Sequence, residues 1–548
     1  MRSKLFLFAF AAISLFFANR AEAQSYAITN ARIVTVSGTT IDKGTVVVRN
    51  GLIEAVGPNV SVPADAQVFD ASGLTVYPGF IDAMTNLGMP AAAARTGGQG
   101  GGQMSQAPAT APTSNSVYPA GMRPEDEAID DLRAGDSQFE ANRNAGFTTV
   151  LTTGRVGIFN GRSALIDLTG DTVSAMIIRS PFAQHITFTT IGGGQYPGSL
   201  LGTFAAIRQI FYDAQRQQDI EKMYVANPRG MKRPAADRSL EALYPAINRD
   251  TPVVFTANRE IDIIRALDLI KEFKLNGMIA GGAEAWKVAD RLKAQNVTVL
   301  LTLNFPKRTT TASPDADPES METLRSRAEA SKCASKLASA GVKFAFQSDN
   351  MRSLSDFFTN AGKAVEAGLS KDAAIRAMTL GSAEILGVDK TTGSIEAGKI
   401  ANLVVVKGDV FGKDRYVSHV FVDGKYYEQK EQPKREAGGT RNGGNVAPTA
   451  GISGTYAVTI DIPGQPMAAT LTFVQVGAAL NGTMVSQLGS SQIRSGKVSP
   501  EGFSFASSVE FGGAAIDITV SGKVTGDQIS GSIDSPQGIV PFSGTKNP

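Results

Sequence analysis

Few residues in this chain can do chemistry, and most of them follow short apolar runs. One run ends in Phe80-Ile81-Asp82-Ala83-Met84-Thr85-Asn86, and another, Pro252 to Phe255, ends in Thr256-Ala257-Asn258-Arg259. A third, Gly277 to Ala280, leads into Gly281-Gly282-Ala283-Glu284-Ala285-Trp286-Lys287, and a fourth, Val342 to Phe346, leads into Gln347-Ser348-Asp349. Alternate residues of a strand share a face, so Met84 and Asn86 project together. A catalytic zinc takes three His, Cys or carboxylate ligands plus an open position for water. The chain has 2 histidines and 1 cysteine. His419, in Tyr-Val-Ser-His-Val-Phe-Val, reads as a structural strand histidine. His185, in Ala-Gln-His-Ile-Thr-Phe, reads as structural too, although it can fall near strand ends. Cys333 reads as a small packed residue. Asp349 remains as a general base, which requires a raised pKa near neutrality, with Arg259, Lys287 or Asn258 polarising a carbonyl. Its competing role is a carboxylate bonded to backbone donors or to Asn86 and Thr256. Met84, Asn86, Thr256, Asn258, Gly281 and Glu284 make up the expected pocket. Glu284 suits a helix N-terminus, and Trp286 suits a pocket wall. No metal or other cofactor is expected. No Gly-x-Ser-x-Gly elbow suggests a serine nucleophile.

The elements that must position these residues alternate between strand and helix. Pro252 to Phe255, Gly277 to Ala280, Val297 to Leu301 and Val342 to Phe346 read as buried strands, and Ile261 to Phe273, Glu284 to Ala294 and Met321 to Ala340 read as helices. With Phe80 to Met84 and Thr148 to Thr152 upstream, the pattern predicts an α/β fold, a (β/α)₈ TIM-like barrel over 79–391. The third and fourth strands, between Ser163 and Ser180, have no clean pattern. Short β-branched runs at Ile33 to Val36, Thr45 to Val48 and Leu52 to Val56 form one flank of a small β domain. Leu403 to Val406 and Val417 to Gly424 form the other, giving a composite β-sandwich domain from 24–78 and 392–430. The segment 88–121, with its glycine tract, reads as a flexible insert, and 431–450 reads as a linker. From 451 to 548, period-two runs punctuated by glycine predict an antiparallel sandwich or small lipocalin-like barrel.

Bulk properties narrow the partners. A chain of 548 residues needs more than one domain. A net charge of +2 gives no basis for a nucleic-acid partner. Arg2 and Lys4, the apolar run Leu5 to Ala18 and Ala21-Glu22-Ala23 read as a signal peptide cleaved near Ala23, which makes the mature protein periplasmic or extracellular. No later run is long and apolar enough for a membrane span.

The stretch Val76-Tyr77-Pro78-Gly79-Phe80-Ile81-Asp82-Ala83-Met84-Thr85-Asn86, together with Gly393-Ser394-Ile395-Glu396-Ala397-Gly398-Lys399 leading into Leu403-Val404-Val405, resembles the amidohydrolase superfamily. Within it, the resemblance is to the imidazolonepropionase-like and cyclic-amidase group. That resemblance implies a hydrolase of non-peptide carbon–nitrogen bonds and a small amide-like ligand; a homo- or hetero-oligomer with an amidohydrolase homologue is a further alternative. It also implies histidines where this chain has Met84, Asn86, Thr256 and Gly281, and a last-strand aspartate retained as Asp349. The expectation is therefore a degenerate metal centre, in a hydrolase or in a non-catalytic pseudoenzyme.

Overall fold

A computed structural model describes residues 25–90, 118, 121–135, 137–154, 157–169, 172–190, 196–307, 319–348, 351, 353–428, 451–460, 467–477, 479–487, 489–499, 502–511, 514–535 and 538–547. The expected signal peptide, most of the insert 88–121, the linker 431–450 and Asp349 lie outside the described residues. The chain divides into two compact units, the second beginning after Pro433.

The first unit opens with β1 (Ser25–Ile33), β2 (Ile41–Arg49), β3 (Leu52–Gly57), β4 (Gln67–Asp70) and β5 (Leu74–Pro78). The chain then forms β6 (Phe80–Thr85), β7 (Phe147–Thr152), β8 (Phe159–Arg162), β9 (Ala164–Asp167) and β10 (Ile177–Arg179). After these come β11 (Gln184–Thr187), β12 (Val253–Ala257), β13 (Gly277–Gly281), β14 (Thr298–Thr302) and β15 (Phe344–Gln347). β11 to β15 pair in parallel one after another, and β6 pairs in parallel with β7.

Between these two parallel runs the direction reverses. β9 lies antiparallel to β7, and β8 lies antiparallel to β11. This is the stretch where the sequence shows no clean strand, and it departs from eight parallel strands. β8 and β9 are joined through Ser163 alone, yet they pair into different sheets, β8 with β11 and β9 with β7.

The parallel strands are buried on both faces, which explains their unbroken apolar character. Val254, Met278, Ala280, Leu300 and Ala345 share one cluster. Their strand neighbours Phe255, Ile279, Val299, Leu301 and Phe346 pack in another with Ile263, Leu267, Leu337 and Phe357 from the helices Glu260–Glu272, Cys333–Ala340 and Leu354–Glu366. The single helix expected over Met321 to Ala340 is two helices, Met321–Ala330 and Cys333–Ala340. The first buries no residue and the second buries Cys333, Ala334 and Leu337, so the break frees the outer half from the core. The helix expected over Glu284 to Ala294 begins as a 3₁₀ turn, Ala285–Val288, before Ala289–Ala294.

The far flank supplies β16 (Leu403–Lys407), β17 (Tyr416–Val422) and β18 (Lys425–Glu428). β16 pairs antiparallel with β5, which joins both flanks into one sheet of order β18-β17-β16-β5-β1-β2-β3. The family-like Gly-Ser-Ile-Glu-Ala-Gly-Lys phrase does structural work here. Ser394 donates to Glu396, and Lys399 bonds Asp389 O and Ser394 Oγ. The Ser394 hydroxyl and the Lys399 ammonium, 3.1 Å from the carboxylate, hold the Glu396 carboxyl down to about 2.

A buried polar knot ties this sheet to β7 and β9. The Nδ2 group of Asn402 donates to Asp167 at 3.2 Å and to Thr149 at 3.3 Å, while its Oδ1 accepts from the Asp423 amide at 2.7 Å. Gly79 N–H also donates to Asn402 O. Removing one member of a buried network leaves its partners without their bonds, at about 1–3 kcal/mol for each. Asn402→Ala is accordingly expected to lower the stability of the first unit by roughly 3 kcal/mol. Urea unfolding followed by Trp286 fluorescence measures this; a change below about 0.5 kcal/mol, the level of an ordinary surface substitution, contradicts it.

The second unit is antiparallel throughout. Its strands are β19 (Gly454–Ile460), β20 (Met467–Val476), β21 (Ala479–Ser486), β22 (Gly489–Gln492), β23 (Arg494–Ser499), β24 (Gly502–Phe511), β25 (Ala514–Thr525), β26 (Gln528–Ser535) and β27 (Gly538–Lys546). β27 pairs with β19, and β20 pairs with β21, so the circuit of pairing closes on itself and leaves no open edge along it. Of the two architectures expected for this segment, the strand pairing is that of the closed one. Tyr456, Leu471, Phe473, Met484, Phe503, Phe505, Val520, Ile529 and Phe542 pack together as its core.

Candidate functional site

The C-terminal ends of the parallel strands bring the expected pocket residues onto one edge, but most of them are committed to structural contacts. Met84 is buried and packs in the apolar cluster with Ile81, Leu151 and Ala280. The Asn86 amide donates to the carbonyls of Thr153 at 2.8 Å and Gly154 at 3.3 Å, so it pins the chain leaving β7. Thr256 pairs with Ala280 and Thr187 and is half-buried. Thr302, Gln347 and Ser348 are buried at the neighbouring ends. Gln347 donates to Leu300 O at 2.8 Å. The edge is thus built from hydroxyls and amides. Among the described residues, no three of His, Cys, Asp or Glu lie together as metal ligands.

Sequence reasoning missed Asp82. It is fully buried, and its Oδ1 accepts from the Ser348 amide at 2.9 Å and the Met84 amide at 3.3 Å. It therefore ties the middle of β6 to Ser348, just past the end of β15 and immediately before Asp349. The available signal was a carboxylate inside an otherwise apolar strand, since such a group is buried only with partners.

Gly281 and Asn258 form a second arrangement. Gly281 has φ +91°, and a Cβ there would lie 2.4 Å from Asn258 Oδ1. That oxygen accepts from the Ala283 amide at 3.4 Å, and Asn258 O accepts from the Glu284 amide. A side chain here, where the family resemblance implies a histidine, requires a strained backbone and a shift of the Asn258 amide.

Glu284 does act at a helix N-terminus, but at that of a neighbouring helix, which corrects the simple sequence reading. Its Oε2 accepts from the Glu260 amide at 2.7 Å, at the start of the helix Glu260–Glu272, whose own N-cap, Arg259, makes no side-chain cap bond. Its Oε1 takes Lys287 Nζ at 2.9 Å, and Lys287 also reaches Glu260 at 3.6 Å. Burial opposes the Glu284 charge, but the Glu260 amide and the Lys287 ammonium outweigh it and hold the carboxyl below its ordinary range. Lys287 is raised by the same pairing. Arg259 lies exposed, 3.7 Å from Asp262. These two cations are therefore engaged by neighbouring carboxylates. Glu284, Lys287, Arg325, Glu329, Lys336 and Trp286 line a cavity of about 650 Å³ beside this loop. Lys336 Nζ sits 3.4 Å above the Trp286 ring.

The remaining candidates stand apart from the strand ends. His185 lies in the middle of β11 level with Val254, is 2% exposed, and its Nε2 has no hydrogen-bonding partner among the described residues. Burial drives its pKa down to about 3, which keeps the ring neutral. His419 lies in the composite sheet, 2.9 Å from Ser418 Oγ and stacked on Tyr426. Cys333 is buried against Gly282 O, and burial pushes its thiol up to about 11, so it stays protonated.

Parallel strands carrying polar residues at their C-terminal ends, joined to a composite β domain, match the fold of a solved amidohydrolase from Thermotoga maritima MSB8. That protein is 24% identical, with TM-score 0.59 over 74% of this chain and all of that one. The sequence model of the Amidohydrolase family matches residues 75–426, and the chain belongs to that family. Its members' fold is a TIM barrel with a β domain. A β-aspartyl dipeptidase from Fervidobacterium islandicum-AW-1 is a more distant likeness, 16% identical with TM-score 0.42, covering 74% of this chain and 97% of that one. Among curated proteins there is no match. Among the described residues no helix is long and apolar enough to cross a membrane.

Proposed function

We propose that this chain is an amidohydrolase-family protein that binds a small amide-like molecule at the barrel mouth and lacks the metal-assisted hydrolysis associated with the family. The observation that carries the reading is the state of the four positions where the family resemblance implies histidines. Met84 is a buried thioether, the Asn86 amide serves two backbone carbonyls, Thr256 is a hydroxyl, and Gly281 offers no side chain at all. These groups do not fit a borderline divalent ion, which wants imidazole, thiolate or carboxylate. The hydroxyls of Thr256 and Thr302 are instead neutral groups of the polarity of a cyclic amide or peptide bond. Without a metal, attacking water keeps a pKa near 15.7 in place of about 7, and hydrolysis loses its principal nucleophile.

A second reading, hydrolysis with Asp349 as general base, rests on the bond from Ser348 N–H to Asp82, which fixes the residue just before Asp349. One experiment separates the two. The mature protein is titrated calorimetrically with a panel of cyclic amides and dipeptides, with and without chelator, while products are followed by mass spectrometry. Binding that ignores chelator, with no product, is the expected result. Turnover that disappears in Asp349→Asn supports the second reading, and a chelator-sensitive turnover with stoichiometric metal overturns both.

A further inference from the structure

The opposite end of the strands holds a cavity that the function above does not use. It has a volume of about 600 Å³ and lies where β12, β13, β14 and β15 begin, among Pro252, Met278, Thr298 and Phe344. Chemistry in such barrels is placed at the other, C-terminal end, so this is a separate place on the molecule. Its apolar lining is led by the half-buried Phe344 and Ile385, while Phe182, Met278 and Leu386, also in its wall, are buried residues that pack with Val254 and Leu300. Its rim is charged. Arg376 and Glu384 neutralise each other as an ion pair at 2.5 Å. Arg179 and Lys343, also on the rim, have no carboxylate partner within ion-pair distance among the described residues, and they face one remaining rim carboxylate, Asp250. The Arg179 guanidinium lies 5.4 Å over the Phe182 ring, so a flat cation stands at the boundary between apolar lining and polar rim.

We propose that this cavity is a second small-molecule site, taking an apolar body that carries a single carboxylate. The volume is that of an ordinary small-ligand pocket. An aryl or short acyl group replaces water on Phe344 and Ile385, where burial of apolar area drives association. The carboxylate meets Arg179 and Lys343 at the rim, where charge-assisted bonds to guanidinium are short and directional. Asp250 restricts the site to monoanions, because a second carboxylate would approach a like charge.

The test uses the full mature chain and two matched probe pairs, 3-phenylpropionate with its primary amide and hexanoate with hexanol, titrated by isothermal calorimetry. Each carboxylate is expected to bind at least 10-fold more tightly than its neutral partner. The dicarboxylate phenylsuccinate is expected to bind more weakly than 3-phenylpropionate. In the double variant Arg179→Gln, Lys343→Gln the preference for carboxylate disappears while unfolding without ligand is unchanged, since both side chains are exposed rim groups. Thr256→Val at the opposite end leaves carboxylate binding intact, which keeps this result independent of amide binding at the mouth. Equal affinity for carboxylate and neutral partner, or retention of the preference in the double variant, overturns the proposal.

Discussion

Asp167→Asn yields a protein whose stability, compared with the parent, drops more steeply as the pH falls from about 6.5 toward 3, and His185→Gln yields one whose stability drops more steeply as the pH rises from about 4 to 7. The two variants expose opposing titrations that mask each other in the parent. Asp167 is buried, and its carboxyl is pushed up to about 7, chiefly by burial and further by the Asp423 charge, against the Thr149 and Asn402 hydrogen bonds. Its folded pKa exceeds its unfolded one, so the native state holds an extra proton between about 4 and 7. That contribution is present at low pH and is lost as the pH rises through the window. His185 runs the other way: burial drops its folded pKa to about 3 from 6.5. The unfolded chain binds the extra proton there, so its contribution is present above 6.5 and is lost on acidification. Each shift corresponds to a few kcal/mol at most, and over roughly pH 4 to 6.5 the slopes have opposite sign and similar size. The parent is therefore expected to be nearly flat in that window with respect to these two groups. Urea midpoints across pH 4 to 8 measure the slopes. Trp286, the chain's 1 tryptophan, lies in the first unit and reports on that unit alone. Identical slopes in parent and both variants would contradict the assignment of these two buried groups.

Both groups illustrate what the sequence reveals and what it hides. Parallel strands such as Val253–Ala257 and Thr298–Thr302 were legible because burial on both faces leaves an unbroken apolar run. The joining of the two flanks was legible from the family-like phrases at Val76 to Asn86 and Gly393 to Lys399. The reversal at β8 and β9 was not, because four-residue strands carry too little periodicity to set direction. Position along the strand edge was likewise legible for Met84, Asn86, Thr256 and Gly281. The partners of those residues were not. Asn86 bonds carbonyls 67 and 68 residues away, Asp82 reaches an amide 266 residues away, and Glu284 caps a helix that begins 24 residues earlier. Such contacts are set by tertiary packing, which local pattern does not encode. A carboxylate in a sequence can be a base, a cap or a strut, and only the donors around it decide which.

The same dependence on tertiary neighbours makes Gly281 a costly place for any side chain. Gly281→Ala is expected to destabilise the first unit by about 2–4 kcal/mol through two separable causes. One is the backbone: φ +91° is a conformation that glycine adopts freely and residues with a Cβ adopt only under strain. The other is steric, since the new methyl would lie 2.4 Å from Asn258 Oδ1, inside any real contact distance. Asn258→Gly in the alanine background removes the second cause and leaves the first, so the double variant is expected to recover about half of the loss. Recovery beyond the strain term is prevented, because Asn258 Oδ1 no longer accepts from the Ala283 amide. A graft of histidine at position 281, alone or with Met84→His, Asn86→His and Thr256→His, begins from the same deficit before any ion is bound. It is expected to unfold at lower urea than the parent even in saturating zinc, because binding offsets instability only in proportion to the logarithm of free metal over its dissociation constant. Urea unfolding of Gly281→Ala, of the double variant and of the zinc-loaded graft measures all three. An alanine variant within about 0.5 kcal/mol of the parent, or a graft stabilised by zinc above the parent, would show that this loop yields readily and that the mouth can still be rebuilt around a metal.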